Sequence, residues 1–317
     1  MKTDALRIVF MGTPDFAVAN LKALVEAKHE VVGVITAPDK PAGRGRKLQQ
    51  SAVKTYAQSQ GLKLLQPTNL KDEAFLSELK ALHANLQVIV AFRMLPKAVW
   101  DMPKYGTFNL HASLLPQYRG AAPIHWAIIN GETKTGVSTF FIDDKIDTGA
   151  IIAQTEIGIE PTETVGQLHD RLMHLGSHLV LETVDKIAQG EVKTYIQPEN
   201  EDLKTAYKLN KDNCKIDWTK DVATVYDKIR GLNPFPSAWS FLENGEEQQS
   251  VKFFDITKEA VSHKYDFGKI INSKTALKVA VKNGFIHIKE LQLPGKRKMD
   301  INSLLNGYEF EENAKML

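Results

Sequence analysis

Apolar residues come in two rhythms along the first half of this chain. Residues 7–12 (RIVFMG) form a short apolar run of strand type. Pro14 and Asp15 then open a stretch with Phe16, Leu21, Leu24 and Val25 on one helical side, and 31–36 (VVGVIT) supplies the next strand. The rhythm continues through a strand at 86–92, a helix from Pro96, a strand carrying Phe108 to His111, a helix near 122–130 and a strand at 136–142. Such alternation predicts an α/β fold of Rossmann-like type, a mostly parallel sheet with helices on both faces. A long helical pattern from about Val165 to Ala188 closes this domain, placed at 1–189. Residues 190–207 are polar and aperiodic and read as a linker. After Trp218 the pattern changes: one helix over about 221–231 leads into short alternating strands with an Asn-Gly turn at 283–284. The expectation for 208–317 is a small β-barrel of OB-like type.

Composition narrows the setting. A chain of 317 residues, 43% hydrophobic and 25% charged, suits two globular domains. The single cysteine, Cys214, permits no internal disulfide, and MKTDALRIVFMG carries too short an apolar run for a signal peptide. No stretch nears the roughly 18 apolar residues of a membrane span. A cytoplasmic protein without membrane association is expected.

Net charge is only +2, but it is unevenly spread. Residues 39–48 (DKPAGRGRKL) gather Lys40, Arg44, Arg46 and Lys47 among glycines and a proline, and read as a long flexible loop. From Lys264 to Lys298 there are nine Lys or Arg against two acidic residues. That asymmetry is an electrostatic footprint for phosphates, although a solvated loop and strand face would look similar.

Candidate chemistry concentrates in 106–132. Residues two apart in a strand share a face, so Asn109 and His111 project together while Phe108 and Leu110 face the other side. They precede a loop at the carboxyl end of a parallel strand, where open α/β sheets place ligands. That loop, SLLPQYRGAAP, offers an apolar pair and expected exposed donors from Ser113, Tyr118 and Arg119. DDKIDTGAII adds Asp143, Asp144 and Asp147, among which residue chemistry alone does not choose. FMGTPDF lacks the G-x-G-x-x-G fingerprint of dinucleotide sites, and the nine histidines show no zinc-like spacing.

Asn109-Leu110-His111 followed by SLLPQYRGAAPI, with IDTGAII placing Asp147 38 residues after Asn109, resembles the Asn-His-Asp constellation of the folate-dependent formyltransferases. The resemblance extends over nearly the whole chain, through RIVFMGTPDFA, VITAPDKPAGRGRKL, KIDWTKDVATVYDKIRGLNPFPSAW and LQLPGKRKM. It implies transfer of a formyl group from 10-formyltetrahydrofolate to the α-amino group of methionine esterified to initiator tRNA. Asn109, His111 and Asp147 are the implied catalytic residues, with no metal.

The implied folate site runs along Phe92, Arg93, Met94 and Leu95, the loop residues Ser113, Leu114, Leu115 and Pro116, and Ile142. Phe92 to Leu95 depart from the family's more usual Tyr-Gly and apolar pair before Leu-Pro, and are one residue shorter. The implied tRNA contacts are Lys40, Arg44, Arg46 and Lys47 in the first domain, and Lys289, Lys296, Arg297 and Lys298 in the barrel. A monomer is expected.

The chemistry accounts for two polar groups in an apolar strand. An amine attacking a formyl carbon builds a negative oxygen and a positive nitrogen. Asn109 can donate to the oxygen; His111 can donate to it too or relay a proton; Asp147 can hold the imidazole tautomer and, through water, accept the proton. Two other readings compete. A folate enzyme that formylates a small amine or hydrolyses the folate would need only the first domain. A noncatalytic RNA-binding protein would leave Asn109, His111 and Asp147 without purpose.

Overall fold

The computed structural model describes residues 5–42, 47–199 and 202–317. The chain forms two compact units, each assembled from separate stretches: Met1–Arg119 with Gly136–Ile157 and His169–Thr205, and Gly120–Thr135 with Gly158–Leu168 and Ala206–Leu317. In chain order the elements begin β1 (Arg7–Gly12), α1 (Asp15–Glu26), β2 (Glu30–Ile35), β3 (Lys40–Ala42), β4 (Lys47–Gln49), α2 (Ala52–Ser59), β5 (Leu64–Leu65) and α3 (Glu73–Ala81). Next come β6 (Leu86–Val90), α4 (Lys97–Trp100), β7 (Thr107–His111), β8 (Arg119–Gly120), α5 (Pro123–Ile129), β9 (Lys134–Phe141), β10 (Ile151–Gly158) and α6 (Val165–Gln189). The remainder is β11 (Thr205–Ala206), α7 (Val222–Arg230), β12 (Ala238–Asn244), β13 (Glu247–Phe253), β14 (Ile256–Ala260), β15 (Ile270–Asn272), β16 (Leu277–Val281), β17 (Gly284–Ile288), β18 (Glu290–Gln292), β19 (Met299–Asp300), α8 (Ile301–Leu305) and β20 (Lys315–Met316).

The sheet of the first unit has seven strands in the order β10-β9-β7-β6-β1-β2-β5. From β5 to β7 neighbouring strands run parallel. Their continuous burial explains why β1 and β6 read as apolar runs rather than as alternation. Gly12 ends β1 because a Cβ there would lie 2.5 Å from the Ala17 Cβ and 2.9 Å from the Val90 carbonyl. Helices start where short polar side chains can cap them: Ser51 accepts from Lys54 N at 3.0 Å for α2, and Asp72 from Phe75 N at 3.1 Å for α3.

Three features depart from the sequence expectation. β9 runs antiparallel to β7, pairing Asn109 with Phe140 and His111 with Ser138. β10 is an additional strand whose second half is mostly half-buried or exposed, so its residues (QTEIG) lack an apolar signature. The expected flexible loop at 39–48 carries the antiparallel ribbon β3–β4, pairing Lys40 with Gln49 and Ala42 with Lys47. Strands of three residues are too short for a readable alternation.

The second unit is antiparallel throughout its C-terminal strands. A five-stranded sheet, β19-β18-β13-β12-β20, and a four-stranded sheet, β14-β17-β16-β15, enclose one core that includes Trp218, Leu242, Phe253, Val279 and Ile286. An antiparallel bridge between Lys269 and Lys315 joins the β15 and β20 edges, as a barrel requires. The β16–β17 hairpin turns one residue earlier than the Asn-Gly pair expected at 283–284: Val281 pairs with Gly284, and Lys282 and Asn283 form the turn, Asn283 at a φ of 61°. Among the described residues no helix is long and apolar enough to cross a membrane.

Candidate active site

Strand β7 carries Asn109 half-buried and His111 6% exposed on one face. His111 Nε2 lies 2.8 Å from the Tyr118 carbonyl oxygen. A carbonyl only accepts, so Nε2 bears a proton, and Nδ1 is the ring nitrogen turned toward Asp147. Nδ1 stands 3.7 Å from Asp147 Oδ2, and the two side chains are only 7% and 16% exposed. That separation is ion-pair distance rather than a hydrogen bond. The tautomer is therefore held by the Tyr118 backbone, where the sequence reading assigned that task to Asp147.

Geometry chooses among the three carboxylates. Asp143 Oδ1 accepts from Lys145 N at 2.9 Å and from Thr148 Oγ1 at 2.8 Å, so it builds the turn. Asp144 is exposed, and Asp147 faces the imidazole. Asp147 sits at φ 55°, a left-handed conformation that aspartate tolerates better than most residues. Gly149 follows because a Cβ there would drive into the Phe141 carbonyl oxygen.

The loop after β7 corrects the expected donors. Ser113 is fully buried, donating to Gln117 O at 2.7 Å, while its own carbonyl accepts from Ser138 Oγ at 2.6 Å. Tyr118 is 5% exposed, and the Arg119 guanidinium reaches Gln197 Oε1 from Nε at 3.0 Å and from Nη2 at 2.7 Å. A buried loop must satisfy its own polar groups, and these residues do so. Leu115 turns into a small core with Phe140 and Ile151, while Leu114 and Pro116 stay half-buried.

Phe92 and Ile142 both pack against the core cluster that includes Val9, Met11 and Ile89. Leu95 is buried in that cluster, whereas Met94 is 71% exposed. Arg93 donates from Nη1 to Thr68 O at 2.9 Å and from Nη2 to Pro67 O, with its guanidinium 5.6 Å from the Phe92 ring centre. Met94, and Ile146 next to Asp147 in the chain, are large apolar side chains left in solvent.

Of the basic residues, Lys40 is exposed on β3, and Lys47 begins β4. Arg44 and Arg46 lie outside the described residues. In the second unit Lys289, Lys296, Arg297 and Lys298 are all exposed. Lys298 is paired with Glu290 at 2.7 Å and stands 5.3 Å from the Phe254 ring centre, so its charge is partly spent within the fold.

Sequence reasoning missed Gln197, in the stretch read as a linker. It is 3% exposed and donates from Nε2 to the carbonyls of Asp147, at 2.9 Å, and Gly149, at 2.8 Å. A lone glutamine in a polar segment carries no signal of this kind.

A carboxamide and an imidazole on one strand face, with a carboxylate 3.7 Å from the imidazole Nδ1, are side chains of the types that attack by a nucleophile on a carbonyl carbon uses. Residues 6–184 match the family model described as formyl transferase, and 208–309 match formyl transferase, C-terminal domain. The chain belongs to the formyl transferase family.

It is 62% identical over 313 residues to the methionyl-tRNA formyltransferase of Flavobacterium johnsoniae, covering 99% of each chain. It is 54% identical over 321 residues to that of Bacteroides fragilis, covering 100% of this chain and 99% of the other. Among solved structures it is similar to an N-formyltransferase from Helicobacter canadensis in complex with folinic acid and dTDP-3-aminofucose, with TM-score 0.64 and 20% identity over 89% of this chain and 98% of that one. HypX from Aquifex aeolicus in complex with tetrahydrofolic acid gives TM-score 0.64 and 18% identity over 96% and 47%. At such identities the likeness concerns the fold.

Proposed function

We propose that the protein transfers the formyl group of 10-formyltetrahydrofolate to the α-amino group of initiator methionyl-tRNA, giving N-formylmethionyl-tRNA for translation initiation in the cytoplasm. The chemistry rests on one observation: His111 presents Nδ1 to Asp147 at 3.7 Å while Nε2 is committed to Tyr118. The choice of substrate rests on the similarity to methionyl-tRNA formyltransferases across 99% of the chain.

Asn109 donates its amide N–H to the formyl oxygen as negative charge develops there. His111 Nδ1 takes the proton released by the attacking amine, and the Asp147 carboxylate stabilises the resulting imidazolium. The new bond joins the amine nitrogen to the formyl carbon, the bond from that carbon to N10 breaks, and His111 returns the proton to N10. A free α-amino group titrates near ~7.7–8.0 and an aminoacyl ester somewhat lower, so much of the nucleophile is neutral at physiological pH and orientation matters more than a strong base.

The formyl donor is assigned to Phe92, Met94, Leu114, Pro116 and Ile142, with Arg93, Leu95, Ser113 and Leu115 shaping those walls from behind. The charged tRNA is assigned to Lys40, Arg44, Arg46 and Lys47 and to Lys289, Lys296, Arg297 and Lys298. The working division is a catalytic domain at 1–189, a linker at 190–207 and a tRNA-binding domain at 208–317, acting as a monomer. One assay tests this reading: purified protein with 10-formyltetrahydrofolate and, in parallel, charged initiator tRNA, uncharged tRNA and a small primary amine. Formyl product on the charged tRNA alone supports it; product on the small amine, or free formate alone, contradicts it.

A further inference from the structure

Gln197 lies between the two family-model matches, which end at 184 and resume at 208. Its carboxamide orientation is fixed by its partners, since Arg119 can only donate and the two carbonyls can only accept. Four bonds use the whole hydrogen-bonding capacity of the group within a site 3% exposed. The two carbonyls it holds bracket Thr148, in the turn where Asp147 adopts a φ of 55°. Close by, Tyr195 pairs with Ile151 through backbone bonds of 2.9 and 3.1 Å, which seats Gln197 beside the aspartate turn.

We propose that Gln197 is a positioning residue for formyl transfer: it fixes the Asp147 turn against Arg119 and so keeps the Asp147 carboxylate opposite His111. This rests on the reading of Asp147 and His111 as the groups that handle the amine proton. Gln197 does not itself take part in proton transfer. Loss of its two donors frees the turn, and a displacement of about 1 Å at a reacting group costs about 10²-fold in rate.

The test is a cycle on the full-length protein with Gln197→Met, Asp147→Asn and the double variant, read by single-turnover rate, KM for each substrate and the midpoint of thermal unfolding. Gln197→Met should lower kcat by about 10²-fold while both KM values stay within about threefold, since only the transition state loses an interaction. In the Asp147→Asn background the same substitution should cost less than about threefold, because its effect acts through the missing carboxylate. If Gln197→Met fails to fold, Gln197→Glu replaces it in the cycle: it keeps the shape and the Arg119 contact but sets oxygen against the two carbonyls.

A folded Gln197 variant with near-normal kcat overturns the proposal, as does an equal fold-loss in both backgrounds. Lowered unfolding midpoint with unchanged kcat would mark Gln197 as purely structural and likewise overturn it. A fully active Asp147→Asn enzyme would instead sink the reading of the site itself, and the positioning role with it.

Discussion

His111 Nδ1 stands 3.7 Å from the Asp147 carboxylate, and the opposite ring nitrogen is locked to the Tyr118 carbonyl at 2.8 Å. That leaves Nδ1, beside the carboxylate, as the ring nitrogen to which the proposed mechanism gives the amine proton. Asn109 is on the same strand face two residues earlier, and the proposed mechanism gives it the oxyanion contact.

Asn109→Ala should therefore lower kcat by about 10²–10³-fold, the usual cost of one oxyanion donor, with KM for the formyl donor changed little. Steady-state kinetics with charged tRNA checks this. A rate within a few-fold of wild type would move the oxyanion contact to another group.

Asp39, at the start of the basic ribbon, is predicted to make acid stability depend on Lys54. The Lys54 ammonium at 2.6 Å, with Gln66 at 2.9 Å, holds the Asp39 carboxyl below the usual carboxylate range. A carboxyl with a lowered pKa in the folded state binds its proton less tightly there than in the unfolded chain. Its stabilising contribution is present above the ordinary carboxylate pKa and disappears as pH falls through the lowered value. The gap in unfolding midpoint between wild type and Lys54→Met should be steady near neutrality and narrow in acid. A gap that does not change with pH would show that the pair contributes by packing alone.

Binding of tRNA should weaken steeply with salt if the exposed lysines and arginine after β17 meet phosphates. Substituting Lys289, Lys296 and Arg297 together by Gln should flatten the log–log slope by roughly 0.7–0.9 for each phosphate no longer neutralised. Filter binding over a range of salt concentrations measures this. An unchanged slope would leave these residues as a solvated surface.

Much of the scaffold was readable because burial leaves a compositional mark. β1 and β6 are buried on both faces and appear as unbroken apolar runs, α1 and α7 show one apolar side, and Asn283-Gly284 marks the β16–β17 hairpin to within one residue. β10 and the β3–β4 ribbon were hidden, one by a partly solvated edge and the other by strands of three residues.

Asn109 and His111 stood out as polar residues in an apolar strand. Residue chemistry alone could not separate Asp143 from Asp147, because the difference lies in what each carboxylate meets: Lys145 N and Thr148 for one, His111 for the other. Ser113 and Tyr118 looked like exposed donors only because the loop's own hydrogen bonds, such as Ser113 to Gln117, are not visible in one dimension. Gln197 was illegible for the same reason, its role arising from partners 48, 50 and 78 residues away.

The most direct measurement of the central claim is the single-turnover rate of formyl transfer to charged initiator tRNA by Asp147→Asn, alongside its affinity for a folate analogue and for tRNA. Replacing the carboxylate by an amide of the same shape removes the charge that stabilises the His111 imidazolium and keeps the packing. The account predicts a loss of about 10²–10⁴-fold in rate with both affinities nearly unchanged. Near-normal transfer by a folded Asp147→Asn protein would contradict it.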